Sequence, residues 1–381
     1  MHNLQRPVRR VVPPGLPGPG KPRTRARCTD LYALPPPERM PTIGQPCPWS
    51  VILVEAAREI GHAEALEPST SGSCVEPRHL QQLIDRAREC RPLRTAVVHP
   101  TDEVSLLGAI EAARQGLISP VLVGPGERIR EVARAAQIDL SPYTLVAAEH
   151  GSLSAARAIA MARAGQVEAL MKGALHTDEL MHAAVDPEHG LRTPRRASHV
   201  FVIESPRYPR LLFITDAAIN IYPTLEDKRD IVQNAIDLAR TLGVRTPRVA
   251  ILSALELVTS RIKSTIEAAA LCKMADRGQI EGGLLDGPFG FDNAVSVEAA
   301  ATKHIVSAVA GRADIFVVPD IEAGNMLAKQ LEYLSGARLA GVVLGTRVPI
   351  VLTSRADDAA ARLASCAIAI LMVRRRPLEA A

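Results

Sequence analysis

From residue 78 onward, apolar residues follow two patterns that alternate along the chain. In residues 78–90, Leu80, Leu83 and Ala87 recur every three or four residues, which is typical of a helix with one buried face. The next apolar run, RTAVVHP at residues 94–100, is short and continuous and predicts a buried strand. Strands that alternate with helices of about 10–15 residues indicate βαβ units and a mostly parallel sheet.

The same alternation continues towards the C-terminus. Further strands are predicted at residues 119–125, 144–147, 169–171, 210–215, 248–254, 282–287, 314–320 and 340–345. Helices are predicted between them, including residues 102–114, 127–136, 152–164 and 224–242. The last of these begins at Thr224, a good N-cap, with acidic residues in its first turn. The sequence therefore predicts an α/β fold.

Composition supports a layered α/β protein. The chain is 47% hydrophobic and 23% charged, which excludes a wholly disordered protein. It has only five Phe, five Tyr and one Trp, so aliphatic residues must fill the core. Residues 1–40 contain eight Lys and Arg and two acidic residues, a surplus of six positive charges. The formal net charge of the whole chain is +4, so the remaining residues carry a net charge of about −2. A body without a basic excess argues against a nucleic-acid partner.

Residues 1–77 differ from the rest of the chain. Twelve prolines fall within residues 1–48, and proline blocks helices and removes backbone donors. We expect residues 1–77 to form a largely disordered Pro/Arg-rich extension, apart from a helical pattern at 50–66. No function is assigned to this extension.

Metal, disulfide and membrane sites are not expected. The six cysteines are widely spaced, without a CxxC motif or Cys/His pairs at zinc-ligand spacing. The late apolar run at residues 366–373 is far shorter than the roughly 20 residues of a membrane helix. The N-terminus lacks the apolar segment of a signal peptide. A cytoplasmic location with reduced thiols is therefore expected.

Candidate chemistry lies in loops that follow predicted strands, because open α/β sheets bind ligands at the carboxyl ends of their strands. We expect the loops after residues 215, 253, 286, 320 and 353 to carry it. The richest is TSRADD at residues 353–358, which joins a strand to a helix. Free backbone N–H groups, the Ser354 hydroxyl and the Arg355 guanidinium suit a phosphate or a carboxylate. A capped helix with a surface arginine is the alternative interpretation.

Six stretches together resemble the phosphate acetyltransferase and phosphate butyryltransferase family. They are MKGALHTDEL (171–180), SHVFVIE (198–204), FITDAAINIYP (213–223), DGPFGFDNAVS (286–296), VAGRADIFVVPDIEAGNMLAKQL (309–331) and VPIVLTSRADD (348–358). Their order and spacing are similar to the family's from about residue 78 to the C-terminus. TDAAIN and PIVLTSRAD look especially like the phosphotransacetylase portion of bacterial proteins fused to an enoyl-CoA hydratase domain. Residues 1–77 are too short for that hydratase domain.

The resemblance implies reversible acyl transfer, in which acetyl-CoA and phosphate give acetyl phosphate and CoA. It implies a two-domain, three-layer α/β/α fold like that of isocitrate and isopropylmalate dehydrogenases, with the active site in the interdomain cleft. The first domain would comprise residues 78–195 and 341–381, and the second residues 196–340. Coenzyme A would be a substrate, and no cofactor is implied. Family members are commonly homodimers, so a homodimer is expected.

The resemblance also assigns site residues. Ser354 and Arg355 match the family's Ser-Arg pair, the serine donating to developing charge and the arginine holding phosphate. Asp216 and Asn220 would help form the opposite wall of the cleft, and Asn325 would bind substrate there. Arg192 is a candidate second phosphate-binding arginine.

Two positions depart from the acetyl-specific pattern. Acetyl-specific members are expected to have an acidic residue seven positions after Ser354, which would act as the base toward CoA. In this chain that position is Ala361, so Asp357 is the nearest acidic candidate. An arginine is also expected after the glutamine of the helix that follows residues 324–325, and this chain has Leu331 there. A butyryl- or longer-acyl transferase therefore stays open, as does a non-catalytic CoA- or acyl-phosphate-binding regulator. A decarboxylating dehydrogenase on the same fold is disfavoured, because no DxxxD pair accompanies the loop after residue 286.

Overall fold

Eleven strands form one mixed sheet in the computed structural model, which describes residues 79–353 and 359–374. The predicted extension at residues 1–77 lies outside these ranges. The strands are β1 (Leu93–Val98), β2 (Ile118–Gly124), β3 (Thr144–Ala147), β4 (Ala169–Lys172), β5 (Ser198–Glu204), β6 (Leu212–Thr215), β7 (Arg248–Leu252), β8 (Leu284–Phe289), β9 (Ile315–Val317), β10 (Arg338–Leu344) and β11 (Ile350–Val351). Their order across the sheet is β3-β2-β1-β4-β11-β10-β5-β6-β9-β7-β8.

Helices cover both faces of this sheet. They are α1 (His79–Arg88), α2 (Glu103–Arg114), α3 (Gly126–Ala135), α4 (Gly151–Arg163), α5 (Thr177–Ala184), α6 (Leu225–Thr241), α7 (Lys263–Asp276), α8 (Phe291–Val295), α9 (Val297–Thr302), α10 (Ile321–Ser335) and α11 (Ala359–Arg374). One apolar cluster packs α1, α2, α3, α6, α7 and α11 against the first face. Two others pack α4 and α5, and α8 to α10, against the second. The predicted α/β fold is confirmed.

Several element boundaries follow from capping. Asp102 accepts a hydrogen bond from the Ser105 amide at 2.7 Å and starts α2. Thr224 and Asp227 form a reciprocal capping box at the start of α6, as the acidic first turn indicated. Asp320 caps α10 through the Ala323 amide at 2.9 Å, and Gly336 ends that helix in the left-handed conformation.

The strands of the two halves run in opposite directions. β1, β2, β3, β4 and β11 are parallel to one another, as are β6, β7, β8 and β9. The central strands β5 and β10 pair antiparallel with their neighbours β6 and β11 and with each other. Consequently Val351, Val342, Val200 and Thr215 lie in one row across four strands. The carboxyl ends of β11 and β6 thus meet at the middle of the sheet.

Two elements were absent from the predicted set. Residues 198–204 form β5, although the pattern placed the first strand of the second half at residues 210–215. Residues 177–184 form α5, which is not among the helices predicted from the sequence. The sheet is continuous through β10 and β5, where the predicted boundary between residues 78–195 with 341–381 and residues 196–340 falls. The division into two domains stays a prediction.

Candidate active site

A cavity of about 880 Å³ lies on the second face of the sheet, where the carboxyl ends of β4, β6, β9 and β11 come together. We refer to it as the cleft. Its floor is formed by His199 and Phe201 of β5 and by Leu352 and Thr353 after β11. Its sides are formed by the start of α5, by Ala218 and by the first turns of α10. Two of the five loops predicted to carry chemistry therefore reach it, those after residues 215 and 320, and Thr353, the residue before a third, also lines it.

The other two predicted loops contribute no lining residue to the cleft among the residues that the structure describes. β8 runs beyond residue 286 to Phe289, and its loop leads directly into α8. There the Asn293 amide contacts Glu256 of the loop after β7. Because β7 and β8 are the last strands of the order, these loops lie three strands or more from β5.

Asn325 lines the cleft, and its substrate-binding role stays a prediction. It is the fifth residue of α10 and is exposed. Its Nδ2 donates a hydrogen bond to the Ala217 carbonyl oxygen at 3.2 Å, which ties the start of α10 to the loop after β6. Within residues 79–353 and 359–374 its Oδ1 accepts no hydrogen bond, so it can accept one from a ligand in the cleft.

Asp216 is buried and is not among the described residues that line the cleft. Its buried carboxylate accepts hydrogen bonds from the backbone amides of His199 at 3.1 Å, Ala218 at 2.9 Å, Ile219 at 3.0 Å and Asn220 at 3.3 Å. Burial raises the pKa of Asp216, and the hydrogen bonds from Ala218, Asn220, His199 and Ile219 oppose that shift. These contacts shape the loop that carries Ala218 into the cleft.

Asn220 is also buried and fully engaged. Its Nδ2 donates to Asp216 at 2.6 Å and to the Ala197 carbonyl oxygen at 2.9 Å, and its Oδ1 accepts from Arg196 Nε at 2.7 Å. Asn220 lines a second, polar cavity of about 540 Å³ rather than the cleft. The exposed Arg192 lines the same cavity, so the structure brings Arg192 and Asn220 together.

Ser354, Arg355 and Asp357 lie outside the described residues, which resume at Ala359. Thr353, the residue before them, is buried and lines the cleft. Ala361 lies in the first turn of α11, and its carbonyl oxygen accepts from Ser365 Oγ at 2.8 Å. The roles assigned to the three residues stay predictions.

Two cleft residues were not singled out from the sequence. Lys172, the last residue of β4, is buried and lines the cleft. His199 is buried in β5. The signal for both was present, because each lies in a stretch that carries the family resemblance, MKGALHTDEL and SHVFVIE. A charged or titratable residue inside an apolar strand is uncommon unless it is paired or functional.

Metal and membrane sites are not indicated in residues 79–353 and 359–374. Within these ranges no group of three or more His, Cys, Asp or Glu side chains could hold a metal ion. No helix in them has the length and apolar character needed to cross a bilayer.

Comparison with known proteins identifies the family. Residues 148–370 match the family described as "Phosphate acetyl/butaryl transferase". The chain belongs to this family. It is 60% identical over 302 residues to the phosphate acetyltransferase of Rhizobium meliloti, which covers 79% of this chain and 96% of that relative. It is 39% identical over 298 residues to the phosphate butyryltransferase of Clostridium beijerinckii, covering 78% and 99% of the two chains.

Solved structures share the fold of this family member. The branched-chain phosphotransacylase from Enterococcus faecalis V583 superposes with a TM-score of 0.64 at 28% identity, covering 74% of this chain and 99% of the other. A phosphotransacetylase from Streptococcus pyogenes gives a TM-score of 0.66 at 21% identity, with 77% and 98% covered. The resemblance to the family is confirmed, whereas the narrower likeness to hydratase fusions stays a prediction.

Proposed function

We propose that this family member is a phosphate acetyltransferase, which transfers the acetyl group reversibly between coenzyme A and inorganic phosphate. The observation that carries the proposal is the 60% identity to the Rhizobium meliloti phosphate acetyltransferase over 96% of that relative. Relatives with the same name from Rickettsia prowazekii and Rickettsia felis are 56% and 55% identical over 293 residues. The cleft supports the proposal, because its volume of about 880 Å³ lies within the usual range for small-molecule sites.

The chemistry needs positioning and charge stabilisation more than a covalent intermediate. In the direction that consumes acetyl phosphate, the CoA thiol, with a reference pKa of about 8.5, must become a thiolate and attack the carbonyl carbon. Hydrogen-bond donors then stabilise the tetrahedral oxyanion while phosphate leaves. Coenzyme A is a substrate in this scheme, and the proposal requires no cofactor.

Ser354 and Arg355 are the residues proposed to contact the acyl group and the phosphate where the reaction takes place. The chain places them directly after Thr353, which lines the cleft. Ser354 would donate to the developing charge, and the Arg355 fork would hold two phosphate oxygens at once. Asp357 is the proposed base towards CoA, because Ala361 occupies the position where an acidic side chain was expected. Asn325 would bind substrate from the α10 side.

Arg192 would bind a phosphate group in the second cavity, beside the cleft. Arg196 also lines that cavity, and its guanidinium Nη1 lies 3.6 Å from Asp227 Oδ1. The side chain of Arg192 is exposed there. Asp216 and Asn220 would support this substrate region by holding the loop that separates the two cavities.

A longer-acyl transferase is the second candidate. The apolar side chains Leu175, Phe201, Ile321, Met326 and Leu352 line the cleft and could accommodate an acyl chain longer than acetyl. The 39% identity to a phosphate butyryltransferase favours this reading less than the 60% identity favours acetyl transfer.

One assay separates these candidates. CoA release would be measured with acetyl-CoA, propionyl-CoA and butyryl-CoA, each with and without phosphate. We expect phosphate-dependent release with the highest kcat/KM for acetyl-CoA. A preference for butyryl-CoA would favour the second candidate, and binding of CoA without turnover of any of the three would favour a non-catalytic homologue.

We also propose a cytoplasmic homodimer, on the strength of the family resemblance. Sedimentation equilibrium of the purified protein would test the oligomeric state. A mass near the 40.8 kDa of one chain would contradict the dimer.

A further inference from the structure

The floor of the cleft presents one accessible side chain. Four residues form this floor, His199 and Phe201 of β5 with Leu352 and Thr353 after β11. Three of them are almost completely buried, since His199, Leu352 and Thr353 are 0%, 7% and 5% exposed. Phe201 is half-buried, and it is the one residue of β5 that is not fully buried. A molecule in the cleft therefore meets the Phe201 ring at the floor.

The Phe201 ring is held on one side by a histidine. The Leu352 N–H donates to the Gly341 carbonyl oxygen at 3.3 Å, and Gly341 is the β10 partner of Phe201. Gly341 has no side chain, and a Cβ atom there would lie 2.8 Å from His199 Nε2. The buried His199 ring thus fills the space over Gly341, and the Phe201 ring packs edge-on against it with 4.4 Å between centroids. The Phe201 ring is therefore blocked from turning towards β11.

The other side of the ring is held by the core. Phe201 packs against the apolar cluster that contains Ile214 of β6 and Ala328 of α10. Helix α10 is seated closely on the loop after β6, because a Cβ atom at Gly324 would lie 2.9 Å from the Ala217 Cβ atom. Close-packed neighbours leave a side chain little freedom to move. The ring therefore gives the cleft a fixed depth at this point.

Phe201 also supplies the apolar surface at the bottom of the cleft. Leu175 and Leu352 line the cleft but are only 3% and 7% exposed, so they offer a ligand little surface. Ile321 and the 66% exposed Met326 lie on α10, at the side of the cleft. An alkyl group that leaves water is stabilised by contact with apolar surface, and an aromatic ring provides a large area of it. An alkyl group at the floor therefore contacts Phe201.

The ring lies close to the residues proposed to contact the acyl group. Leu352 and Thr353 directly precede Ser354 in the chain. Neighbouring strands are about 4.8 Å apart, so the backbones of Leu352 and Phe201, on either side of Gly341, are separated by about 10 Å. The Phe201 ring and a short acyl group together span this distance. A longer acyl chain would press against the ring.

We propose that the Phe201 ring contacts the alkyl end of the acyl group of bound acyl-CoA and limits its length, an inference that rests on the proposed function. An acetyl group fits in front of the ring. A butyryl group has two more methylenes and must displace a ring that His199 and the core hold in place, which is unfavourable. Phe201 therefore determines specificity for the acyl chain and takes no part in making or breaking bonds.

The test uses Phe201→Ala and the ratio of kcat/KM for butyryl-CoA to kcat/KM for acetyl-CoA. We expect this ratio to rise by about tenfold or more, because one methylene in an apolar pocket already changes discrimination by about 10-fold to 200-fold. Both values come from the same preparation, so the ratio does not depend on the fraction of folded protein. By isothermal titration, CoA, which has no acyl group, should bind within twofold of the wild type.

Two further variants keep the test decisive if Phe201→Ala fails to fold. Phe201→Leu keeps an apolar side chain against the core and should shift the ratio in the same direction by a smaller factor. Phe291→Ala is the matched control. Phe291 is 40% exposed and packs edge-on against Phe316 with 5.7 Å between centroids, but it does not line the cleft. Its loss should lower the melting temperature and leave the ratio within twofold of the wild type.

Opposite results would overturn the proposal. A lower melting temperature for both Phe201 variants with an unchanged ratio would make the ring part of the core only. Equal weakening of CoA, acetyl-CoA and butyryl-CoA binding would place the ring against the CoA portion instead of the acyl group. If the wild type binds these molecules but transfers no acyl group, the proposed function fails, while the ratio of the butyryl-CoA and acetyl-CoA dissociation constants in each variant still decides the role of Phe201.

Discussion

Asp216 shows how a residue in a recognisable motif can act through structure. Its carboxylate accepts hydrogen bonds from the backbone amides of strand β5 and of its own loop. The family resemblance placed Asp216 in a wall of the cleft. Its hydrogen bonds depend on burial and on the neighbouring strand β5, which the linear pattern did not predict.

We predict that Asp216→Ala lowers the free energy of unfolding by about 3 kcal/mol or more, because several buried donors lose their acceptor. Urea unfolding would measure it. The control is Asp276→Ala at the end of α7, where the carboxylate is 63% exposed and paired with Lys273 at 2.6 Å. That change should stay within about 0.5 kcal/mol. An equally small effect at Asp216 would contradict the role of its hydrogen bonds.

Ser354 carries the sharpest prediction about rate. If its hydroxyl donates to charge that develops only during the reaction, Ser354→Ala should lower kcat by about 10²–10³ and leave both KM values nearly unchanged. If it only caps the following helix, the same change should cost about 1 kcal/mol of stability and little rate. A thermal melt and steady-state kinetics on one variant separate the two. A lowered melting temperature with normal turnover would remove Ser354 from the mechanism.

At the scale of elements, the sequence predicted what local physics controls. α6 begins at the capping residue that was expected, and strands such as β1 and β2 follow continuous apolar runs. β5 was missed because SHVFVIE contains a histidine and a serine that are buried only by tertiary packing. α5 was missed because its eight residues follow a glycine-containing turn and are too few for a clear helical period.

The end of α11 is attached to the start of β4 by a carboxylate. Glu168 accepts two hydrogen bonds from the Arg374 guanidinium, at 2.6 and 2.8 Å, and one from the Arg94 amide at 3.2 Å. The Arg374 hydrogen bonds lower the pKa of Glu168 to about 2, with Arg94 and Arg91 contributing, while partial burial opposes the shift. α11 follows the segment with Ser354, so this contact anchors the far end of the helix that the segment leads into.

This contact makes stability depend on pH. Because the folded-state pKa of Glu168 is below its unfolded value, its stabilising effect is present above about pH 4.5 and is lost as the pH falls towards 2. The difference in unfolding free energy between the wild type and Glu168→Gln should therefore be largest at pH 7 and shrink below pH 4.5. Chemical unfolding at several pH values would show it. The exposed Glu149→Gln is the control, and a difference for Glu168 that is constant with pH would contradict the prediction.

At the scale of the molecule, strand order decided which predicted loops form the site. The rule that ligands bind at carboxyl ends selected five loops, and those after residues 215 and 320 line the cleft together with Thr353, which precedes a third. It could not exclude the loops after β7 and β8, since the order β6-β9-β7-β8 and the reversal of direction at β5 and β10 arise from long-range pairing. The family resemblance supplied residue roles that spacing alone did not.

The last prediction concerns residues 1–77. The alignment with the Rhizobium meliloti relative covers 302 residues and 96% of that protein, which is about the length of the chain from residue 79 onward. Every described element and both cavities also lie beyond residue 78. We therefore predict that a protein starting at Arg78 retains the kcat and KM values of the full-length chain within about twofold, because residues 1–77 are rich in proline and lack a hydrophobic period over most of their length. Steady-state kinetics and a thermal melt of both forms would test this, and a loss of kcat beyond tenfold would show that residues 1–77 complete the fold or the site.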